Sequence, residues 1–292
     1  MSKKHPIIVV TGSSGAGTSS VNRAFQHIFH REGLKPAVIE GDSFHKYNRS
    51  EMRDQVKMAE DEGKTLSHFG PNANLFGELE GLFKSYAAFG TGKCRHYVHN
   101  EEEAARYHVE PGNFTEWEDL PQGSDLLFYE GLHGCAHTEN VDLAQYPDLK
   151  IGVTPIVNLE WIQKIHRDNA ERGYKVEAVT ETILRRMYDY VTYITPQFAR
   201  TDINFQRTPV VDTSHPFMAR DIPTLDESLV IIRIARPQKW DMDFGYYLDR
   251  LEGSWMSRPN TIVVRGGKMG LAMEMIIMDM LATVGMIEYQ RR

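Results

Sequence analysis

The sequence has few cysteines and no excess of positive charge. Its 292 residues include only Cys94 and Cys135. Two cysteines cannot build the disulfide framework of a secreted protein, so we expect a cytoplasmic protein in a reducing compartment. Lysine and arginine number 33 against 40 aspartates and glutamates, which gives a formal net charge of −7. Because general nucleic-acid-binding proteins normally carry a basic excess, no nucleic-acid partner is expected.

Long apolar runs are also lacking. The run Ile7–Val10 is too short for a secretory signal, and no small-residue cleavage site follows it. The longest apolar stretch, 269–287, is interrupted by Glu274 and Asp279, so no membrane span is expected. This stretch is rich in methionine. We expect it to be buried in the core or in an oligomer rather than to form a partner-binding surface.

Short apolar segments alternate with segments of helical periodicity along the chain. Strands are predicted at Ile7–Thr11, Ala37–Glu40, Leu126–Tyr129, Leu149–Val153, Val210–Val211, Leu229–Ile234 and Thr261–Val264. Helices are predicted at Thr18–Arg31, 50–62, 73–89, Asn158–Arg172, Glu177–Tyr193 and after the last strand. The alternation predicts an α/β fold, with a mostly parallel mixed sheet flanked by helices and loop-rich insertions such as 90–124. No repeat or linker interrupts it, so a single domain over 1–292 is expected.

A glycine-rich sequence follows the first strand and leads into a helix. It matches G-x-x-x-x-G followed by Thr-Ser, where the usual phosphate loop has Lys-Ser. Backbone N–H groups and the positive end of the helix favour phosphate there. We therefore predict that ATP contacts Gly12, Ser13, Ser14, Gly15, Ala16, Gly17, Thr18, Ser19 and Ser20. Ser19 has the position of the hydroxyl that binds Mg²⁺. Since the lysine is missing, another cation must neutralise the transferring phosphoryl group.

Two carboxylates follow predicted strands. Glu130 ends the strand before Gly131, where a carboxylate can hold Mg²⁺ directly or through water, although a solvent-facing acid has the same pattern. Asp42 follows the second strand and is placed to accept a proton from an attacking hydroxyl, or else to cap a helix. If the segment after Asp42 is helical, His45 and Arg49 share its face and could bind an anionic substrate.

Two further groups of polar residues are candidates for the site. The predicted helix 158–172 carries Lys164, Arg167, Asp168 and Arg172 on one face. That face is either solvated or a source of the missing positive charge, brought in by a lid that closes over ATP. Residues 93–99 form a cationic and aromatic stretch that either lines a sugar-phosphate site or is an ordinary polar loop. No G-x-S-x-G elbow is present, which argues against a hydrolase.

Together these residues resemble the bacterial-type phosphoribulokinases, within the phosphoribulokinase/uridine kinase family of P-loop kinases. The phosphate loop with Gly-Thr-Ser in place of lysine is itself typical of that type. The matching segments are 10–19, 40–45, 128–134, 155–168, 204–207 and 253–258. The resemblance implies a P-loop NTPase fold with a lid helix around 158–172. It also implies a Calvin-cycle reaction, in which Mg²⁺ and ATP phosphorylate the C1 hydroxyl of D-ribulose 5-phosphate.

The same resemblance implies a role for each candidate residue. Asp42 is the expected catalytic base, Asp168 a second essential carboxylate, and Lys164 the lysine that steadies the transferring phosphoryl group. Ser19 and Glu130 are the expected metal ligands. Expected sugar-phosphate contacts are His45, Arg49, Tyr97, His99, Arg167 and Arg172.

The resemblance also extends to assembly and regulation. The bacterial type is typically an octamer, activated by NADH as an effector rather than a redox cofactor, and inhibited by AMP. Arg233 and Arg258 resemble arginines linked to that activation, although a paired arginine at a subunit interface has the same pattern. The plant type is switched through a cysteine in the phosphate loop, and this loop has none.

Two other functions remain open from the sequence. One is a related kinase of another pentose phosphate or of a nucleoside such as uridine. A neutral nucleoside would not need the cationic group of His45, Arg49 and Arg172. The other is a catalytically silent nucleotide sensor, which would be expected to have lost Asp42, Glu130 or Asp168.

Overall fold

The strands and helices follow the predicted alternation. The computed structural model describes residues 4–13, 18–154 and 156–289. Its strands are β1 Ile7–Thr11, β2 Pro36–Glu40, β3 Lys93–Cys94, β4 Glu118–Asp119, β5 Leu126–Gly131, β6 Leu149–Val153, β7 Ile203–Pro209, β8 Ser228–Ile234, β9 Trp255–Arg258 and β10 Thr261–Arg265. Its helices are α1 Thr18–Glu32, α2 Arg49–Asp61, α3 Phe76–Phe89, α4 Glu101–Tyr107, α5 Val157–Arg172, α6 Val176–Arg185, α7 Met187–Asp189, α8 Phe244–Arg250 and α9 Met269–Thr283.

One mixed sheet organises the fold. Within the described residues it has eight strands in the order β2-β5-β1-β6-β7-β8-β10-β9. The first five of these are parallel, and the last three continue the sheet antiparallel. The carboxyl ends of β1, β2 and β5 therefore meet at one edge, where ligands of open α/β sheets bind. This arrangement confirms the predicted mostly parallel mixed sheet.

β1 is buried on both faces, as its unbroken apolar sequence predicts. Successive side chains of a strand point to opposite faces. Ile8 and Val10 belong to a core formed with α1 and α9, whereas Ile7 and Val9 belong to a second core formed with α3. The helices on both faces hold β1, and with it Gly12 at its end, in a fixed place in the sheet.

The methionine-rich stretch is part of the first of these cores. α9 buries Met269, Met273, Met278 and Met280, which confirms a core helix instead of an exposed methionine surface. Among the described residues, no helix has both the length and the apolar character needed to cross a membrane.

The strand predicted at Val210–Val211 is wrong. The strand in this region is β7, and it ends at Pro209, so both valines lie beyond it and are exposed. Ile203 and Phe205 are buried and alternate with polar residues, which is the pattern of a half-buried strand rather than of an apolar run.

The helix predicted over Glu177–Tyr193 is also less regular than expected. It is divided into α6, α7 and a π-helical turn, Tyr190–Ile194. The loop-rich region 90–124 contains only the short elements β3, α4 and β4, in agreement with its weak periodicity.

Candidate active site

Two glycines let the ends of β2 and β5 approach each other. A Cβ atom on Gly41 would lie 2.9 Å from Cα of Gly131 and 2.7 Å from Oη of Tyr129, closer than real Cβ contacts. Glu40 and Glu130 are direct neighbours in the register of the two strands. Asp42, the residue after Gly41, is therefore held at the same edge of the sheet as Glu130.

The phosphate loop leaves β1 beside this point. Gly12 N donates to Gly131 O at 3.2 Å. A Cβ on Gly12 would lie 3.0 Å from both Thr18 Cγ2 and Val153 Cβ, so the chain turns there with little room for a side chain. Ser20 lies in the first turn of α1. Of the predicted ATP contacts, Ser14, Gly15, Ala16, Gly17 and the side chain of Ser19 lie outside the described residues.

Glu130, the predicted metal ligand, is part of a group of carboxylates. Burial raises the pKa of Glu130, and the nearby charges of Asp42 and Glu40 raise it further. Hydrogen bonds from the Thr18 and Asn22 side chains oppose that rise. A divalent cation would relieve the repulsion among these carboxylates.

The arrangement also fits magnesium in the number of its ligands. The described ranges contain no group of three or more histidine, cysteine, aspartate or glutamate side chains that could hold a metal by itself. Mg²⁺ usually takes only one or two carboxylates and completes its shell with water and substrate phosphates. Glu130 next to the phosphate loop is compatible with that pattern.

Asp42 lies between two imidazoles. Its Oδ1 is 3.5 Å from His45 Nε2, and its Oδ2 is 3.7 Å from His99 Nε2. The ring of Tyr97 packs edge-on against His99, with ring centres 4.8 Å apart. Two predicted substrate contacts therefore flank the predicted base and Tyr97 packs against one of them, so part of the stretch 93–99 lies next to Asp42.

The predicted helical face shared by His45 and Arg49 does not exist. A 3₁₀ turn, Gly41–Phe44, ends at His45 in an extended conformation, and α2 begins separately at Arg49 with Asn48 as its N-cap. Arg49 is nevertheless next to the stretch 93–99, because its guanidinium donates a hydrogen bond to His99 O at 3.0 Å. The side chain of Arg172 lies outside the described part of the chain.

His45 is not cationic, contrary to the sequence prediction. Burial lowers the pKa of His45 to about 3 and that of His133 to about 4. Burial also lowers the pKa of His68, whose ring stacks on His45 with centres 4.0 Å apart. His133 Nε2 donates to His68 O at 2.9 Å. At neutral pH, His45 can offer a substrate a hydrogen bond but no charge.

Arg95 fixes the turn that carries Asp42, and sequence reasoning missed it. Its guanidinium donates to Ser43 O at 3.0 Å and to His45 O at 2.7 Å. The same group lies 3.7 Å from the ring centre of Phe114, a cation–π distance. The only sequence signal was its place in the cationic stretch 93–99, where no single residue could be distinguished.

The charged face of α5 is partly buried. The hypothesis of a fully solvent-exposed face is therefore wrong for Lys164 and Asp168 at its centre. Asp168 is 4% exposed and accepts a hydrogen bond from Lys164 Nζ at 2.5 Å. Arg167 donates to the same carboxylate at 3.3 Å. Burial lowers the pKa of Lys164, while the bond to Asp168 opposes that effect. Lys164 therefore stands as a partly desolvated cation, which strengthens its attraction for a phosphoryl group.

Arg186 connects this face of α5 with the surroundings of Asp42. Its positive charge lowers the pKa of Lys164 and also lowers that of His45. Both groups are therefore within electrostatic reach of one guanidinium. Sequence reasoning missed Arg186 because it follows α6 directly, in a segment predicted only as a helix.

A third missed residue joins the phosphate loop to α5. Glu160 is 6% exposed and accepts hydrogen bonds from Ser13 Oγ and from Tyr190 Oη, the latter at 2.8 Å. Burial raises the pKa of Glu160, and the nearby charge of Lys164 opposes that rise. In the sequence, Glu160 was simply an acid in the first turn of a helix.

The predicted effector arginines lie away from this site. Thr261 of β10 is the register partner of Arg233 on one side and of Arg258 on the other, so both arginines are on one face of the sheet. β8 and β9 are three and five strands from β1. At a strand spacing of about 4.8 Å, this corresponds to roughly 14 and 24 Å. Both arginines are exposed, and at this spacing neither strand is a neighbour of β1.

The family model, the similar sequences and the similar solved structure all indicate one family. The family model described as "Phosphoribulokinase / Uridine kinase family" matches residues 7–214. The chain is similar to the chromosomal phosphoribulokinase of Cupriavidus necator, with 62% identity over 279 residues and 94% of each chain covered. It is 58% identical to the phosphoribulokinase of Nitrobacter vulgaris over the whole length of both. The solved structure of a phosphoribulokinase from Rhodobacter spheroides is similar, with a TM-score of 0.88, 53% identity, and coverage of 98% of this chain and 99% of that one.

Proposed function

Because the chain belongs to the phosphoribulokinase/uridine kinase family, we propose that it is an ATP-dependent phosphoribulokinase. It would convert D-ribulose 5-phosphate and ATP into D-ribulose 1,5-bisphosphate and ADP. The observation that carries the proposal is the placement of Asp42 between His45 and His99, at the sheet edge that also holds the phosphate loop and Glu130. Near full-length similarity to several bacterial phosphoribulokinases supports the choice of acceptor over a nucleoside.

Asp42 acts as the general base in this mechanism. Its carboxylate accepts the proton of the C1 hydroxyl as that oxygen attacks the γ-phosphorus of ATP. The neutral imidazole of His45 donates a hydrogen bond without competing for the proton, because its pKa is about 3. His99 and Tyr97 form the other wall, so the acceptor is held between the turn after β2 and the stretch 93–99.

The phosphate loop and α5 stabilise the charge that develops during transfer. Backbone N–H groups of residues 12–20 bind the ATP phosphates. Lys164 leaves Asp168 to contact the transferring group and so replaces the lysine that the phosphate loop lacks. Arg49, Arg167 and Arg172 provide the positive charge for the sugar phosphate. The chain thus works as a single kinase domain with α5 as its lid.

Magnesium fits the group of carboxylates beside the phosphate loop, where Glu130 and the hydroxyl of Ser19 would hold it. When bound, it neutralises charge on the β- and γ-phosphates. Without a cation, the negative charge of the phosphates would meet that of Glu40, Asp42 and Glu130, which lie at the same edge of the sheet.

An ADP-release assay tests the proposed acceptor. Purified enzyme with Mg²⁺ and ATP is given ribulose 5-phosphate, other pentose phosphates or uridine, each with and without NADH. We expect the highest kcat/KM with ribulose 5-phosphate. A higher value with uridine would assign the chain to the nucleoside kinases, and no turnover with any acceptor would support the silent nucleotide sensor.

Regulation and assembly complete the proposal. We propose a cytoplasmic homo-octamer that NADH activates through Arg233 and Arg258, which share one face of the sheet. Since both lie far from the phosphate loop, NADH can act only by binding the active state more tightly than the inactive state. NADH is titrated into the wild type, Arg233→Ala and Arg258→Ala at subsaturating substrate. If NADH activates all three proteins equally, neither arginine takes part in the activation. Light scattering measures the oligomeric state.

A further inference from the structure

Glu160 is a buried carboxylate of the site to which the proposed mechanism gives no task. It lies in the first turn of α5, almost fully buried, and its two oxygens accept from different parts of the molecule. One bond comes from Ser13 in the phosphate loop, and the other comes from Tyr190 in the π-helical turn after α7. A single side chain thus ties Ser13, just after β1, to the π-helical turn Tyr190–Ile194.

Its position on α5 extends this connection to the residues of phosphoryl transfer. Glu160, Lys164 and Asp168 are spaced four residues apart, so they form one line along the helix surface. Lys164 donates to Asp168 and also acts electrostatically on Glu160. The bond between Ser13 and Glu160 therefore fixes one end of this line against the phosphate loop. A displacement of the loop would change where Lys164 stands relative to the γ-phosphate.

Stability alone does not account for a charge at this place. A buried carboxylate loses its hydration, and replacing it by a neutral group of the same shape is often neutral or stabilising. A glutamine at position 160 would keep the volume and could still accept one of the two hydrogen bonds. If Glu160 were only part of the packing, that substitution should leave catalysis unchanged.

We propose that Glu160 is a positioning residue, which holds the phosphate loop through Ser13 and thereby aligns Lys164 with the transferring phosphoryl group. This inference rests on the proposed kinase function and adds a residue to it. Glu160 touches neither substrate. Its loss should affect the nucleotide side of the reaction and the chemical step, while the sugar-phosphate side stays intact.

The test uses the full-length chain with Glu160→Gln, Ser13→Ala and the double variant, and exposed Glu181→Gln of α6 as the matched control. We expect kcat to fall at least about tenfold in each single variant, the scale of a lost charge-assisted hydrogen bond or a small misplacement of reacting groups. The dissociation constant for a non-hydrolysable ATP analogue should rise, with KM for ribulose 5-phosphate within about twofold. Ser13→Ala removes the donor of this bond, and Glu160→Gln removes the charge of its acceptor. Because both substitutions act on one contact, the double variant should be no worse than the more impaired single variant.

The outcomes separate positioning from packing. Thermal unfolding midpoints close to wild type, together with the losses above and normal Glu181→Gln, support the proposal. A lowered midpoint with unchanged kcat would assign Glu160 to packing, and additive losses in the double variant would refute the route through Ser13. Ser13→Ala keeps the test valid if Glu160→Gln does not fold. If wild type does not phosphorylate ribulose 5-phosphate, the proposed function has failed, but binding of the ATP analogue still tests Glu160.

Discussion

Substituting Gly41 by alanine should impair catalysis without removing any catalytic side chain. The new Cβ would lie 2.7 Å from Tyr129 Oη and 2.9 Å from Gly131 Cα. Carbon atoms in contact prefer about 3.5–4.0 Å, so the turn after β2 must move by roughly 0.6–1 Å. Because Asp42 is the next residue, the proposed base moves with it.

The expected magnitudes follow from this displacement. Overpacking of this kind costs about 1–3 kcal/mol in the free energy of unfolding. A misplacement of about 1 Å at reacting groups lowers the rate by up to about 10²-fold. Urea unfolding and the ADP-release assay measure the two effects on the same preparation. The loss in kcat should be much larger than any change in KM for ATP.

Gly81→Ala is the matched control. Gly81 lies inside α3, and nothing is within 4 Å of a Cβ added there. Alanine in a helix interior is favoured over glycine by up to about 1 kcal/mol, so this variant should be slightly more stable and fully active. Wild-type kcat in a folded Gly41→Ala protein would refute the argument that this close approach positions Asp42. Tyr129→Phe should rescue Gly41→Ala only in part, because the contact with Gly131 remains.

Three other outcomes are expected. Asp42→Asn should bind ATP normally but lose at least about 10²-fold in kcat, as expected for a missing general base, and normal turnover would remove it from that role. Arg49→Ala should raise KM for ribulose 5-phosphate roughly tenfold, whereas a change confined to KM for ATP would place Arg49 on the nucleotide side. Stability should fall as pH drops below about 6.5, because the unfolded chain protonates histidines that the fold keeps neutral, among them His45 and His133 with pKa values of about 3 and 4. The slope is about 1.4 kcal/mol per pH unit for each such histidine, so urea titrations between pH 7.5 and 5 should give a shallower slope for His133→Asn than for the wild type.

Elements with a short apolar run bounded by glycine or proline, or with a clear helical period, were predicted well. β1, β6 and the helix after the phosphate loop lie where the pattern placed them. The strand β7 was missed because its sequence, Ile203–Pro209, is half polar, and the neighbouring valines offered a stronger but misleading signal. The exposed edge strand β9 had no apolar pattern at all. Burial decided these cases, and burial depends on neighbours that a local window of sequence does not contain.

The site was predicted where a residue follows a strand or a recognisable motif. Asp42 and Glu130, which the structure holds at the same edge of the sheet, were proposed in this way. Arg95, Arg186 and Glu160 were not, because their importance comes from partners far away in the chain, such as Ser13 for Glu160. The protonation state of His45 was also beyond the sequence, since its pKa is set by burial within the fold.

The pairing of β2 with β5 separates the two substrates along the chain. The chain leaves the sheet at the carboxyl end of β2 and returns at the amino end of β5, its parallel neighbour, so the two ends of the segment 41–125 are held at opposite ends of adjacent strands. This segment carries much of the proposed acceptor side, whereas the nucleotide side comes from β1, β5 and α1. A connecting segment whose two ends are held by paired strands can change in length and composition without altering the register of the sheet. Evolution could therefore change much of the acceptor side of such a kinase within one continuous stretch of sequence, while the machinery for ATP is inherited intact.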